Sequence, residues 1–203
     1  MDIVIRNIEK KDFSIIRKFA SQGMQFNMYT ENRAELYFYS KYFWYLELNR
    51  ATQVLAAYME DRLAGVLLAD MKGEPKAAVS LWRKFYVGFV EWVMRIGYKG
   101  AEDTYDKANQ EMLAQFKTKY QPDGELNFFA VDPALNGKGI GSKLLNELER
   151  RETGKLIYLF TNTGCAYRFY DRKGFERSDI RKIDIAVHGR KIPHDCFLYS
   201  KRL

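Results

Sequence analysis

The chain has 203 residues, of which 47% are hydrophobic and 29% charged, with a formal net charge of +7. These values suit a globular protein with one sizeable core, and no run of about 18 apolar residues provides a membrane span. Two cysteines, Cys165 and Cys196, make no disulfide framework. Basic residues are interspersed with acids rather than gathered in a run, so nucleic acid is not expected as a partner, whereas a polyanionic ligand suits the positive excess.

In chain order, MDIVIRNIEKKD is charged from its second residue and holds no signal-peptide core, so a cytoplasmic location is expected. Residues 2–7 alternate, with Ile3 and Ile5 on one face, and read as a strand. Asp12 is placed to cap a helix that buries Phe13, Ile16, Phe19 and Ala20. Thr30 or Asn32 starts a second helix through Leu48, dense in aromatics. Gln53–Met59 and Leu63–Asp70 read as strands joined by Glu60-Asp61-Arg62, a hairpin.

Residues 71–121 carry two further helical patterns. From Ala77 to Tyr98, Trp82, Phe85, Tyr86, Phe89, Val93 and Ile96 recur at helical spacing, and Lys99-Gly100 ends the run. From Thr104 to Lys119 the apolar stripe is Tyr105, Ala108, Met112 and Phe116. An inserted helical hairpin is the reading. Its apolar face has four destinations: the parent domain, a homodimer interface, a lid that shapes a substrate pocket, or a membrane surface.

Asn127 to Val131 is an apolar, β-prone stretch that Asp132-Pro133 ends. Gly137, Gly139 and Gly141 follow, and Ile140, Leu144, Leu145 and Leu148 then keep helical spacing. Strand, glycine turn and helix together make an anion cradle. The first amides of a helix lack intrahelical partners, the dipole adds partial positive charge, and glycine admits a phosphate close to the backbone. The spacing is not that of a P-loop, because Ser142-Lys143 follows Gly141. Nor is it a dinucleotide fingerprint, whose third glycine stands one residue further on. A plain connector between strand and helix remains open on this stretch alone.

Lys155–Thr161 is a short apolar strand, and strand–helix–strand implies a right-handed parallel crossover. Asn162 to Phe175 (NTGCAYRFYDRKGF) reads as a helix through Ala166, Phe169 and Tyr170, closed by Gly174 in a left-handed cap. Arg181–Val187 and Asp195–Lys201 are the last strands, with His188-Gly189-Arg190 between them. No His/Cys/Asp/Glu group has metal-ligand spacing, so no metal is expected.

These two stretches together resemble the GCN5-related N-acetyltransferases (GNAT). Gly139 and Gly141 occupy the small positions of the family's first motif, [QR]-x-x-G-x-[GA], where Asn136 replaces the usual Gln or Arg. Ala166, Phe169, Tyr170, Gly174 and Phe175 match its second motif, with Asn162 one residue further from Ala166 than usual. The resemblance implies an α+β fold, an α/β/α sandwich on a mixed, mostly antiparallel sheet with one parallel βαβ crossover. On that plan residues 1–203 form a single domain, with 71–121 inserted before the fourth strand. It implies acetyl-CoA as co-substrate, held by Ala130, Val131, Gly137, Lys138, Gly139, Ile140, Gly141, Ser142, Asn162 and Tyr170. Strand splaying is expected at Ala130-Val131.

The implied activity is transfer of acetyl to a primary amine of a small molecule or peptide in a ternary complex. Tyr170 is the expected general acid and Glu125 the expected general base, with His188 and His194 as alternatives. A lysine-like amine must be deprotonated at a cost of about 4.6 kcal/mol at pH 7. Positioning it against the thioester supplies more, about 7–11 kcal/mol. The alternative is a non-catalytic acyl-CoA-binding or sensing module.

Overall fold

The computed structural model describes residues 2–24, 26, 32–97, 104–187 and 190–203. The strands are β1 (Ile3–Arg6), β2 (Gln53–Met59), β3 (Arg62–Met71), β4 (Gly124–Val131), β5 (Leu156–Asn162), β6 (Glu176–Val187) and β7 (Arg190–Arg202). The helices are α1 (Phe13–Gly23), α2 (Arg33–Arg50), α3 (Leu81–Gly97), α4 (Thr104–Lys119), α5 (Ile140–Arg151) and α6 (Arg168–Arg172). One seven-stranded sheet has the order β1-β2-β3-β4-β5-β7-β6. Every neighbouring pair is antiparallel except β4–β5, the ends of the β4-α5-β5 crossover.

Alternation along the strands gives the sheet two apolar faces. On one, Leu55, Leu67, Leu126, Ile157, Leu159, Phe197 and Tyr199 pack with Ile140, Leu144, Leu145 and Leu148 of α5. The apolar stripe expected for that helix is therefore its buried stripe. On the other face, Ile16, Phe19 and Ala20 of α1 and Trp44 and Leu48 of α2 cover Tyr58, Val66, Leu68 and Phe128. The same face continues over the far half of the sheet. There Ala108, Met112 and Phe116 of α4 cover Tyr158, Ile183, Cys196 and Leu198. Helices α2 and α4 thus flank the junction of β4 and β5 from one side.

Several local outcomes refine the sequence reading. Asp12 does not cap α1. Its buried carboxylate accepts from Tyr58 Oη at 2.6 Å, because burial favours a donor brought by the sheet over an exposed helix end. Asn32 does cap α2, accepting from Ala34 N–H at 2.9 Å. The β2–β3 turn is tight, with Glu60 and Asp61 both left-handed (φ 50° and 62°) and Met59 paired with Arg62.

Helix α3 starts at Leu81 rather than Ala77, where Ser80 Oγ accepts from Arg83 N–H at 3.4 Å. Tyr98 and Lys99-Gly100, like Thr30 and His188, lie outside the described residues. The second motif is helical only over Arg168–Arg172. Before it, Asn162 Oδ1 accepts from Gly164 N–H at 2.8 Å, a side-chain turn that competes with helix.

The two helices of residues 71–121 have separate partners. Helix α3 lies along α2, with Tyr86 edge-on to Tyr45 at 5.5 Å and Arg83 Nε donating to Asn49 Oδ1 at 3.2 Å. Helix α4 lies on the sheet. The outward face of α3 is left in solvent: Trp82, Phe85, Phe89 and Trp92 form a ladder of stacked rings with successive centroids 5.8, 6.5 and 6.1 Å apart.

Candidate active site

The glycine turn forms a cradle because two of its residues need left-handed backbone, Gly137 at φ 81° and Gly139 at φ 78°. Asp132 Oδ1 accepts from Ala134 N–H at 3.0 Å and fixes the turn as β4 ends. Gly139 precedes α5 without any side-chain cap. The first helical hydrogen bond runs from Lys143 N–H to Gly139 O at 3.0 Å, so the amides of Ile140, Gly141 and Ser142 come before the helical ladder. A Cβ on Gly141 would sit 3.3 Å from the Phe169 ring, so this position is small for lack of room. Lys138 differs from its neighbours. Its N–H is taken by Leu135 O at 3.3 Å, and its exposed side chain is not part of the groove.

Beside the cradle the sheet opens. β4 and β5 pair only at Gly124–Ile157 and Glu125–Tyr158. The gap therefore begins at Leu126, earlier than the expected Ala130-Val131. The cause lies in the β3–β4 ladder, whose register shifts between Leu68 and Asp70. Leu68 pairs with Phe128 but Asp70 with Glu125, leaving an extra residue on β4, and such a bulge bends the strand away from its neighbour.

Across the gap stands Tyr170 on α6, its ring 6.4 Å from Phe129 and 5.5 Å from Phe175. Burial pushes its phenol above the usual tyrosine range, and Cys165 and Tyr105 push the same way. It is therefore fully protonated at neutral pH. Tyr105 belongs to α4, so residues from the 71–121 segment reach the second motif.

A groove of about 2260 Å³ joins these parts. At one end lie Ala130, Val131, Gly137, Gly139, Ile140, Gly141, Ser142, Asn162 and Tyr170. Its walls carry Tyr42 and Phe43 from α2, Val90 and Met94 from α3, and Tyr105 and Leu113 from α4. At the far end is a polar cluster. Arg50 Nη2 donates to Glu125 Oε2 at 2.5 Å, and Tyr158 Oη donates to the same oxygen at 3.2 Å. Glu47 Oε2 accepts from Asn127 Nδ2 at 2.6 Å and lies 3.6 Å from Arg50 Nη1. Burial pushes the Glu47 carboxyl up to about 7; Arg50 and Asn127 pull it down, while Glu125 and Asp70 raise it. His194 is not in the groove; its Nδ1 is 3.3 Å from Ile192 O. Among the described residues no cluster of His, Cys, Asp and Glu suits a metal.

The model of the acetyltransferase (GNAT) domain matches residues 87–177, from within α3 to the start of β6 and so across both motifs. Residues 87–177 are thus similar to a GNAT acetyltransferase domain. The chain is 37% identical over 67 residues to the N-alpha-acetyltransferase RimI of Mycobacterium tuberculosis, covering 32% of this chain and 42% of that protein. It is 39% identical over 79 residues to the S-(2-succino)cysteine N-acetyltransferase of Bacillus subtilis, covering 34% of this chain and 48% of that protein. The matches thus span less than half the length of these curated relatives. In fold it resembles a solved structure described as histone acetyltransferase HPA2 and related acetyltransferase, from Corynebacterium glutamicum. That TM-score is 0.61 at 16% identity, over 100% of this chain and 97% of the other.

Within this GNAT fold, Glu47 is the groove residue that the sequence reading missed. The signal was present. Ser40, Trp44, Glu47 and Leu48 are the buried positions of α2, so one acid falls on the apolar stripe of an aromatic helix. A carboxylate there needs either a partner or a purpose.

Proposed function

We propose that this protein is an N-acetyltransferase that moves an acetyl group from acetyl-CoA to a primary amine of a small molecule or peptide, by direct attack in a ternary complex. The observation that carries the reading is the uncapped start of α5, set beside the β4–β5 gap with Tyr170 opposite. The amides of Gly139, Ile140, Gly141 and Ser142 suit a pyrophosphate, with Gly137 permitting the turn. Ala130 and Val131 on the open edge of β4 suit the thioester arm, since a strand that has lost its neighbour has backbone groups to offer. Lys138 is left to a surface role, because its amide is spent on Leu135. Asn162 shapes the turn before α6, and Tyr170 donates to the departing sulfur.

The amine enters from the opposite end, between α2, α3 and α4. In this reading residues 71–121 are an insertion that builds the acceptor wall. The aromatic lining of that wall favours an amine carried on an apolar or aromatic body.

The test is thiol release from acetyl-CoA in the presence of a broad panel of amines and peptide N-termini. Turnover with at least one acceptor class supports the reading. Tight coenzyme A binding with no turnover on any amine points instead to a non-catalytic acyl-CoA sensor.

A further inference from the structure

We propose that Glu47 takes the proton from the incoming amine, with Asn127 and Arg50 as its positioning residues and Glu125 serving as the partner of Arg50. This role rests on the acetyltransferase reading above.

The first support is placement. Glu47 projects from the last turns of α2 into the acceptor end of the groove, with a side chain only 8% exposed. Its one close hydrogen bond comes from a neutral amide, Asn127 Nδ2 at 2.6 Å. The guanidinium of Arg50 is directed instead at Glu125, whose Oε2 already accepts from both Arg50 and Tyr158. Of the two carboxylates, Glu47 has the longer contact with Arg50, 3.6 Å against 2.5 Å.

The second support is Asn127 itself. Its Oδ1 is buried without a partner among the described residues. Turned over, the amide would present that oxygen to a protonated Glu47. Both protonation states of Glu47 then have a partner on the same side chain, as a group that gains and loses a proton each cycle requires.

The third support is the local balance of charge. Glu47 faces Arg50 on its own helix, Asp70 from β3 and Glu125 from β4. Tyr158 of β5 is bound to Glu125, and Lys76 is spent on Asp70 at 2.6 Å. Burial with two neighbouring acids against one arginine sets its titration near neutrality, where a general base works best.

An ammonium gives one proton to Glu47, which later releases it to solvent. The freed nitrogen bonds to the acetyl carbon as the carbon–sulfur bond breaks. The second nitrogen proton leaves in exchange for the one Tyr170 delivers to sulfur.

Glu47→Gln keeps the size of the side chain and its bond from Asn127. With a turned-over acceptor, coenzyme A affinity should be unchanged and kcat/KM should fall about 10²–10³-fold. The acid limb of the pH–rate profile, near pH 7 in the wild type, should vanish. Glu125→Gln should keep that limb but move it to lower pH, because one repelling charge is gone. A Glu47→Gln enzyme that retains both rate and limb overturns the proposal, as does loss of the limb in Glu125→Gln. Carbon-13 NMR of the protein labelled at glutamate carboxyls reads the same group without substrate. One resonance should titrate near 7 and be missing from Glu47→Gln; its absence in the wild type overturns the proposal whatever the activity. Failure of the wild type on every amine overturns the acetyltransferase reading instead, and this role with it.

Discussion

Arg50 and Glu125 meet across the interface between the last turn of α2 and the first paired residues of β4, Nη2 to Oε2 at 2.5 Å. This pair bridges the far end of the groove at the point where β4 and β5 separate. Arg50→Met would leave Glu125 with Tyr158 as its partner and would remove the one cation that favours an ionised Glu47. The arginine side chain is 40% exposed, so solvent softens the loss; we expect a stability cost of about 1 kcal/mol by thermal melting. The acid limb of the activity profile should move to higher pH. A limb that stays in place would show that Arg50 does not set the charge of the groove.

Gly139 and Gly141 should fail in different ways. Gly139 has open space around it but a left-handed backbone, so Gly139→Ala costs roughly 1 kcal/mol of stability through strain alone. Gly141 has ordinary helical backbone but a crowded side, with Phe169 at 3.3 Å and Phe129 at 3.5 Å from a built Cβ. Gly141→Val should press on Phe169 and narrow the cradle. Coenzyme A affinity by calorimetry should then fall tenfold or more, about 1.4 kcal/mol.

Tyr170→Phe removes only the hydroxyl and keeps the ring contacts with Phe129 and Phe175. If the phenol protonates the leaving sulfur, kcat should fall by about 10²-fold while coenzyme A affinity stays close to wild type. An unchanged kcat would remove Tyr170 as the acid.

The outward side of α3 and its groove side make a further contrast. Trp82 and Phe89 are 64% and 52% exposed. Replacing either by Gln should shift stability by no more than about 0.5 kcal/mol, since exposed positions seldom cost more. Val90 and Met94 line the groove instead. Met94→Ala should raise the acceptor KM several-fold with little effect on acetyl-CoA, as steady-state kinetics would show. If the outer substitutions moved the KM and Met94→Ala did not, α3 would not be an acceptor wall.

The sequence made the glycine-turn end of the groove readable and left its far end obscure, for a physical reason. Gly139, Gly141, Tyr170 and the α5 stripe serve local needs of backbone and helix period, and local needs leave local marks. The separation of β4 from β5 arises from a register shift against β3, a relation between residues about sixty apart that no short motif records. Glu47 was hidden for a similar reason. It acquires meaning only when Asn127, Arg50 and Glu125 gather around it from two elements. The expected capping role of Asp12 failed likewise, because Tyr58 comes from a strand 46 residues away.

The raised carboxyl of Glu47 also predicts how the fold responds to pH. Its folded value, about 7, lies above the ordinary 4.5, so between these values the native state holds a proton that the unfolded chain has released. Stability changes with pH in proportion to protons bound by the unfolded state minus those bound by the native state, and here that difference is negative. Glu47 therefore makes the protein less stable as pH rises from about 4.5 to about 7, and the penalty persists above that window. Glu47→Gln has no such proton to lose. Melting temperatures of the two proteins should be close near pH 5 and diverge toward pH 8, with the variant the more stable. Parallel curves across that range would show that Glu47 titrates in its ordinary range and carries no stored cost.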